Sequence, residues 1–379
     1  MAEKKLGFGL MRLPLKDAKD TTSIDHETVC KMADEFLKAG FTYFDTAQPY
    51  HEGASEIAFR ECVAKRYPRD AYTITDKLSL FVLKKKEEIP GFFVNQLEHC
   101  GVEYFDYYLV HSLDKASFQQ AEEWGAFDFV SQKKAEGKVR HIGFSFHDKA
   151  DVLEEILKRH PEMEYVQLQI NYMDWENPNV QSRKCYEVCQ KYNKTVLIME
   201  PVKGGMLVNV PEEAKQLLKE NRPELSVASW AIRYAASLEN VKMVLSGMSN
   251  PEQMQDNLSY MKELQPVSDE EKQVIHKVVE ILNSKATIAC TSCRYCVDGC
   301  PQKIEIPKYF ALLNDLSRYG DAQMASLRED YGYYLDSGYG KASSCIKCRK
   351  CESHCPQHLP ITAYLEDVAK VMEVNGEMA

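Results

Sequence analysis

Two groups of cysteines dominate the last ninety residues. Cys290, Cys293, Cys296 and Cys300 are followed by Pro301, and Cys345, Cys348, Cys351 and Cys355 are followed by Pro356. Three thiolates at Cys-x-x-Cys spacing, then a fourth ahead of a proline, form a run that wraps a cubane iron–sulfur cluster. Where the run occurs twice, the fourth cysteine of each serves the other cluster. Cys290, Cys293, Cys296 and Cys355 are therefore expected around one 4Fe–4S cluster, and Cys345, Cys348, Cys351 and Cys300 around a second. Structural zinc also takes four thiolates, but usually from two separated Cys-x-x-Cys pairs. Cys30, Cys62, Cys100, Cys185 and Cys189 are scattered through the first half of the chain. In a reducing compartment, tight grouping signals metal ligation rather than disulfides.

A second constellation lies far upstream: Asp45, Tyr50, Lys77 and His111. These supply an acid, a phenol, an ammonium and an imidazole. A free phenol has a pKa near ~10, too high for easy proton donation at neutral pH. A neighbouring Lys77 would lower it by favouring phenolate, and Asp45 would hold that lysine in place. His111 could then hydrogen-bond a substrate oxygen and polarise it. Singly, each has a plain structural reading: a surface charge, a core histidine, a packed ring, a loop cap. Their value depends on whether the fold brings them to one place.

The elements that must do so alternate. Strands are expected at Gly7–Leu10, Tyr43–Asp45, Tyr72–Thr75, Tyr107–Val110, His141–Phe144, Val166–Ile170, Val196–Met199 and Met243–Ser246. Helices are expected at Glu27–Ala39, Ser55–Lys65, Pro90–Cys100, Phe118–Glu136, Lys149–Lys158, Val180–Tyr192, Val227–Ala236 and Glu252–Lys262. Gly40 and Gly137 punctuate helix ends. Eight such units in some 250 residues predict an α/β fold, a closed (β/α)8 TIM barrel. No Gly-x-Gly-x-x-Gly follows the first strand, which argues against a doubly wound sheet. In a barrel, polar residues at the carboxyl ends of strands converge on one mouth. Asp45 ends the second strand, Tyr50 follows it, Lys77 follows the third and His111 ends the fourth.

Asp45-Thr46-Ala47, Tyr50, Gly53, Ser55, Glu56, Thr75-Asp76-Lys77 and Val110-His111-Ser112, in that order, resemble the aldo/keto reductase family over roughly residues 1–265. The resemblance implies a nicotinamide cofactor across the barrel mouth and hydride delivery to a carbonyl. Tyr50 would be the acid, Lys77 and Asp45 its tuners, and His111 the group orienting the substrate. Ser145 and Gln167 match positions that bind the nicotinamide carboxamide, whereas Phe146 replaces a usual asparagine and Met199 a usual stacking aromatic. The stretch from Ser246 to Asn257, with Gly247, Ser249, Gln253 and Asn257, resembles the loop that holds the adenosine phosphate. The family's basic positions there fall on Gly247 and Gln253. A 2′-phosphate favours a cation, so NADPH and NADH both stay open.

Residues 266–289 read as a helical connector and 290–379 as a mainly α-helical ferredoxin-like domain, with helices near Lys308–Tyr319 and Gln323–Tyr334. Tyr319, Tyr331, Tyr333, Tyr334 and Tyr339 are expected to pack it. Barrel and tail together resemble a subgroup of aldo/keto reductases with a C-terminal ferredoxin domain. A nicotinamide delivers two electrons and each cluster accepts one, so a divider such as a flavin is open. Three readings follow: an NAD(P)H-dependent reductase of a small carbonyl substrate, a reductase fed through its clusters by a ferredoxin-like partner, or a non-catalytic redox sensor. With 47 basic and 57 acidic residues and a net charge of −10, nucleic acid and anionic membranes are unexpected partners. No leader-like segment and no run of eighteen apolar residues appears, which reads as a cytoplasmic protein.

Overall fold

The computed structural model describes residues 4–297 and 299–373. Eight strands, β1 (Leu6–Gly9), β2 (Tyr43–Asp45), β3 (Thr73–Leu78), β4 (Phe105–Leu113), β5 (Val139–Phe146), β6 (Tyr165–Gln169), β7 (Thr195–Met199) and β8 (Val241–Ser246), pair in parallel in sequence order. β8 returns to β1, so the barrel expected from the sequence closes. Its interior is filled by Tyr43, Tyr107, Leu109, Leu197, Met243 and Leu245. Rings provide much of that floor: Tyr107 stands 5.3 Å from Tyr43 and 4.9 Å from Tyr165, centroid to centroid. Gly143 lets β5 and β6 approach, since a Cβ there would lie 2.2 Å from the Tyr165 carbonyl oxygen.

Along the stretch that builds the barrel the helices are α1 (His26–Lys38), α2 (Ala54–Phe59), α3 (Ile89–Cys100), α4 (Lys115–Glu123), α5 (Ala126–Ala135), α6 (Ala150–Arg159), α7 (Ser182–Lys191), α8 (Glu212–Asn221), α9 (Val227–Ala236) and α10 (Pro251–Met261), of which α8 belongs with the second of the chain's two compact units. The single helix expected over 118–136 is two, because Gly125 takes φ +69° and breaks it. The helix expected over 55–65 is α-helical only to Phe59 and then widens into a π turn, Arg60–Ala64. Cys62 in that turn is disulfide-linked to Cys30 on α1, a bond that their spacing does not announce.

Beyond the barrel come α11 (Asp269–Ser284), α12 (Ile306–Tyr319), α13 (Met324–Asp336), α14 (Lys350–Ser353) and α15 (Ile361–Met372). The chain forms two compact units, one from residues up to Lys203 with Ala228–Ser268, the other from Gly204–Val227 with Asp269 onward. The segment 204–227, inside the span expected for the barrel, thus groups with the second unit, where α8 packs on α11 and Arg222 Nη1 lies 2.8 Å from Glu271 Oε1.

In the second unit, Asn314 on α12 pins the approach to Cys290 by accepting from Thr287 N and Ile288 N and donating to Ile288 O. Tyr331 and Tyr309 do the same for the approach to Cys345: Ala342 N donates to Tyr331 Oη at 2.8 Å, and Tyr309 Oη donates to Gly340 O at 2.9 Å. Tyr319 and Tyr331 are buried as expected of packing residues, whereas Tyr333 is 62% exposed. Among the described residues no helix is long and apolar enough to cross a membrane.

Candidate functional site

Asp45 closes β2 and Lys77 lies inside β3, one residue short of its end, rather than after it. Both side chains point into the barrel and are buried. Lys77 Nζ donates to Asp45 Oδ1 at 2.7 Å and to Thr46 O at 2.8 Å. The same ammonium sits 4.9 Å from the centroid of the Tyr50 ring, and that ring meets His111 edge-on at 6.1 Å. The four residues are therefore brought together at the carboxyl end of the barrel.

Local backbone explains how Tyr50 is held. The residues after it, His51, Glu52 and Gly53, all take positive φ. A turn of this kind persists only when its surroundings over-determine it. Here Leu13 N donates to His51 Nε2 at 3.2 Å, His51 Nδ1 bonds Thr21 O at 2.7 Å, and Thr21 Oγ1 donates to Glu52 Oε1 at 2.7 Å. His111 owes its aim to a bulge: the β4–β5 register shifts between Val110 and Leu113, and Ser112 takes φ +58°. His111 Nδ1 is 2.6 Å from Ser79 Oγ, leaving Nε2 toward the mouth.

The electrostatics correct one expectation. Burial lifts the Tyr50 phenol above its ordinary 10; Lys77 pulls it down, as foreseen, but does not prevail. Burial acts to lower the Lys77 ammonium, yet Asp45 and Tyr50 outweigh it and its pKa stands above the ordinary lysine value. Burial, then the Lys77 charge and His147, push His111 well below 6.5, so its imidazole is neutral.

The residues expected to meet a nicotinamide divide into two kinds. Ser145 and Gln167 are buried partners in register on β5 and β6. Ser145 Oγ accepts from Ser112 N at 2.7 Å, but Gln167 Oε1 is buried with no partner among the described residues. An orphaned carbonyl there fits an amide N–H donor such as a carboxamide. In the β8 loop the side chains are engaged internally instead. Gln253 Oε1 accepts from Ser249 N at 2.7 Å, and Asn257 Nδ2 donates to Ser246 Oγ at 2.7 Å. Gly247, with no side chain of its own, is covered by Arg12, whose side-chain carbons lie 3.5 Å from where a Cβ would stand.

In the second unit, Cys290, Cys293, Cys296 and Cys355 line one small cavity. Cys300, Cys345, Cys348 and Cys351 line another. Each cavity takes its fourth cysteine from the other run, and Ile306 lines both. Ser292 and Arg294 in the first run, and Lys347 and Arg349 in the second, take positive φ at matching places. Alternations of that kind turn backbone N–H groups toward an anionic centre. Burial pushes the Cys296 thiol up to about 12 and Cys351 to about 11, so both would ionise at neutral pH only beside a metal's charge. Four thiols around a cavity fit a polynuclear cluster, whereas zinc would draw each sulfur to ~2.3 Å.

Residues 5–280 match the aldo/keto reductase family, and residues 289–359 match a 4Fe-4S dicluster domain. The chain belongs to the aldo/keto reductase family. It is an oxidoreductase in which that fold is followed by an iron–sulfur domain. An aldo-keto reductase of Mycolicibacterium smegmatis is 27% identical to it over 228 residues, 59% of this chain and 72% of the relative. A second, from Mycolicibacterium vanbaalenii, is 26% identical over 224 residues, again 59% of this chain and 74% of the relative. Among solved structures, the holo form of an aldo-keto reductase from Bacillus halodurans is similar in fold, with TM-score 0.59 and 23% identity over 72% of this chain and 91% of that one. An aldo-keto reductase from Klebsiella pneumoniae in complex with NADPH gives 0.58 at 18% identity, over 74% and 96%.

This aldo/keto reductase has two mouth features that the sequence reading passed over. Arg12 is one. The other is Asp174, buried after β6, whose carboxylate receives Lys203 Nζ at 2.9 Å, Asn171 Nδ2 at 2.8 Å and Gln169 Nε2 at 3.0 Å. Burial would raise that carboxyl, but Lys203 and the amides hold it below the usual aspartate value. Both features join segments distant in sequence, and a lone basic residue in a loop gives no periodic signal.

Proposed function

We propose that this protein is an iron–sulfur oxidoreductase that reduces a carbonyl-type substrate with NAD(P)H, and that two 4Fe–4S clusters relay electrons. The observation that carries the reading is the buried Lys77–Asp45 pair at 2.7 Å beneath the Tyr50 ring, with His111 beside it. A bound nicotinamide supplies hydride to the carbonyl carbon. Tyr50 gives its phenolic proton to the carbonyl oxygen, and the Lys77 ammonium stabilises the phenolate left behind. Asp45 keeps that ammonium charged and in place. The neutral His111, accepting from Ser79 at Nδ1, presents Nε2–H to the same substrate oxygen. Ser145 and Gln167 would hold the carboxamide, and Arg12 over Gly247 would offer the cation that favours NADPH over NADH.

The four-thiol cavities support a second reading. Two clusters supply one electron each, and a carbonyl takes two, so a small one-electron carrier could fill the barrel site through them without direct hydride transfer.

The test is anaerobic turnover of NADPH and NADH with a panel of aldehydes and ketones, comparing the wild type with Tyr50→Phe. Loss of at least ~100-fold in turnover with nicotinamide affinity and cluster absorption unchanged supports the reading, since general acids contribute ~10²–10⁴-fold. Unchanged turnover removes Tyr50 from the proton-donor role.

A further inference from the structure

The two cysteine runs are a structural repeat, and the repeat is broken in charge. Ser292 corresponds to Lys347, Arg294 to Arg349, Lys303 to His358, and at each of these places φ is positive in both copies. Ile306 and Ile361 correspond as well, each beginning its helix, α12 and α15. At two neighbouring positions the copies differ in kind. Thr291 becomes Ile346, and Tyr295 becomes Lys350. Between its first and last cysteine the first run has Arg294 against Asp298, whereas the second has Lys347, Arg349 and Lys350 against Glu352.

The fate of the shared arginine sharpens the difference. Arg294 turns inward and grips the fully buried Glu305 with both terminal guanidinium nitrogens, Nη1 and Nη2. The place of Glu305 is taken in the second copy by Pro360, which offers no carboxylate. Arg349 accordingly stays outside, its side chain 76% exposed, with Glu352 at 3.9 Å as its ion-pair partner among the described residues. Lys347 is 65% exposed and pairs with the surface carboxylate Glu366 at 2.5 Å. Exposed pairs of this sort hold their cations weakly. Lys341 and Lys350 are exposed too, as is Cys348 itself, and Ile346 presents an apolar side chain that is 60% exposed. On a chain of net charge −10 this is a local basic rim around an apolar contact and an accessible cluster ligand.

We infer that the rim of the cavity holding Cys300, Cys345, Cys348 and Cys351 docks a small acidic electron-carrier protein. The inference rests on the electron-relay reading above and names its port. Lys347, Arg349 and Lys350 attract and orient the carrier, Ile346 supplies the dry contact, and the exposed Cys348 marks the short way in. One electron leaves the reduced carrier and enters the cluster held by those four thiolates, and no bond is made or broken. The rim of the other cavity also exposes a ligand, Cys293, and an aromatic ring, Tyr295, but its arginine is turned toward Glu305, so among the described residues it lacks the group of outward cations.

The experiment uses the cluster-loaded full chain and a purified acidic two-cluster ferredoxin. Affinity is measured by calorimetry at low ionic strength and again near ~0.5 M salt, where screening shortens the reach of exposed charge to a few ångströms. The variants are Lys347→Glu/Arg349→Glu/Lys350→Glu and, sparing the two positions that flank Cys348, Lys341→Glu/Lys350→Glu. Each is accepted only if its visible cluster absorption and its reduction by dithionite equal the wild type's. The expected result is a loss of affinity of at least ~10-fold at low salt in the triple variant, smaller in the double, with both differences shrinking at high salt. If the carrier binds and reduces all three proteins alike, the port lies elsewhere: the inference fails and the relay reading stands. If the carrier neither binds nor reduces the wild type while dithionite does, the inference fails, and the relay reading is then decided separately by whether NADPH or NADH reduces the clusters.

Discussion

Lys77 Nζ lies 2.7 Å from Asp45 Oδ1, and neither side chain reaches solvent. A buried pair of this kind adds little over an apolar pair of similar volume, but losing one partner strands the other's charge at ~3–5 kcal/mol. Asp45→Leu should therefore destabilise the barrel by about that amount in chemical denaturation, and Lys77→Met similarly. The double variant Asp45→Leu/Lys77→Met should recover most of the stability while staying inactive. Recovery of activity along with stability would mean that the pair holds the fold and takes no part in proton transfer.

Behind β3, on the outer face of the barrel, Glu56 and Asp76 are both fully buried and share Gln96, whose Nε2 lies 3.2 Å from Glu56 Oε1 and 2.9 Å from Asp76 Oδ1. His99 Nδ1, at 2.9 Å from Glu56 Oε2, and Cys100 and Tyr108 complete the surroundings. Burial raises Glu56 to about 7, and burial with the Glu56 charge raises Asp76 well above 3.8. A carboxyl whose folded pKa is raised binds more protons folded than unfolded, so its contribution to stability is complete below the ordinary 4.5 and is lost as pH rises through about 7. Glu56→Gln should flatten the fall in melting temperature across that window. An unchanged slope would show that the pair does not titrate there.

Cys300 shares its cavity with Cys345, Cys348 and Cys351. Cys300→Ala should cut bound iron from about eight to about four atoms per chain. Adding Cys345→Ala to it should remove no more, because both changes strike one cluster. A further drop toward zero in the double variant would mean that Cys300 serves the other site.

Arg12 is an exposed residue that lies across Gly247. Arg12→Ala should weaken NADPH by ~10-fold, the order expected for a charge-assisted hydrogen bond, and leave NADH nearly unchanged. Equal weakening of both in direct binding would make Arg12 a packing residue rather than a reader of the 2′-phosphate.

Legibility in the sequence followed locality. The cysteine runs could be read because their spacing is short and repeated, and even the crossing of Cys300 and Cys355 followed from the repeat. Asp45, Tyr50, Lys77 and His111 could be read because strand ends in a barrel converge, so a one-dimensional order became a three-dimensional cluster. Arg12 could not: it meets Gly247 only because β8 closes onto β1, and no local pattern reports that closure. The direction of the Tyr50 shift was misjudged for a related reason. Its attractive partner, Lys77, was visible in the sequence, but the burial that outweighs it belongs to the assembled mouth. Gly125, which splits one expected helix into α4 and α5, was present in the sequence but passed over.

The most direct measurement is anaerobic addition of NADPH, and separately NADH, to cluster-loaded protein while the visible spectrum and low-temperature EPR are recorded. Bleaching of the cluster band with appearance of a reduced-cluster signal is the predicted result; because hydride carries two electrons and each cluster accepts one, it would also call for a two-to-one divider such as a flavin on the path. Tight nicotinamide binding with both clusters left oxidised would contradict it and separate the barrel chemistry from the iron–sulfur domain.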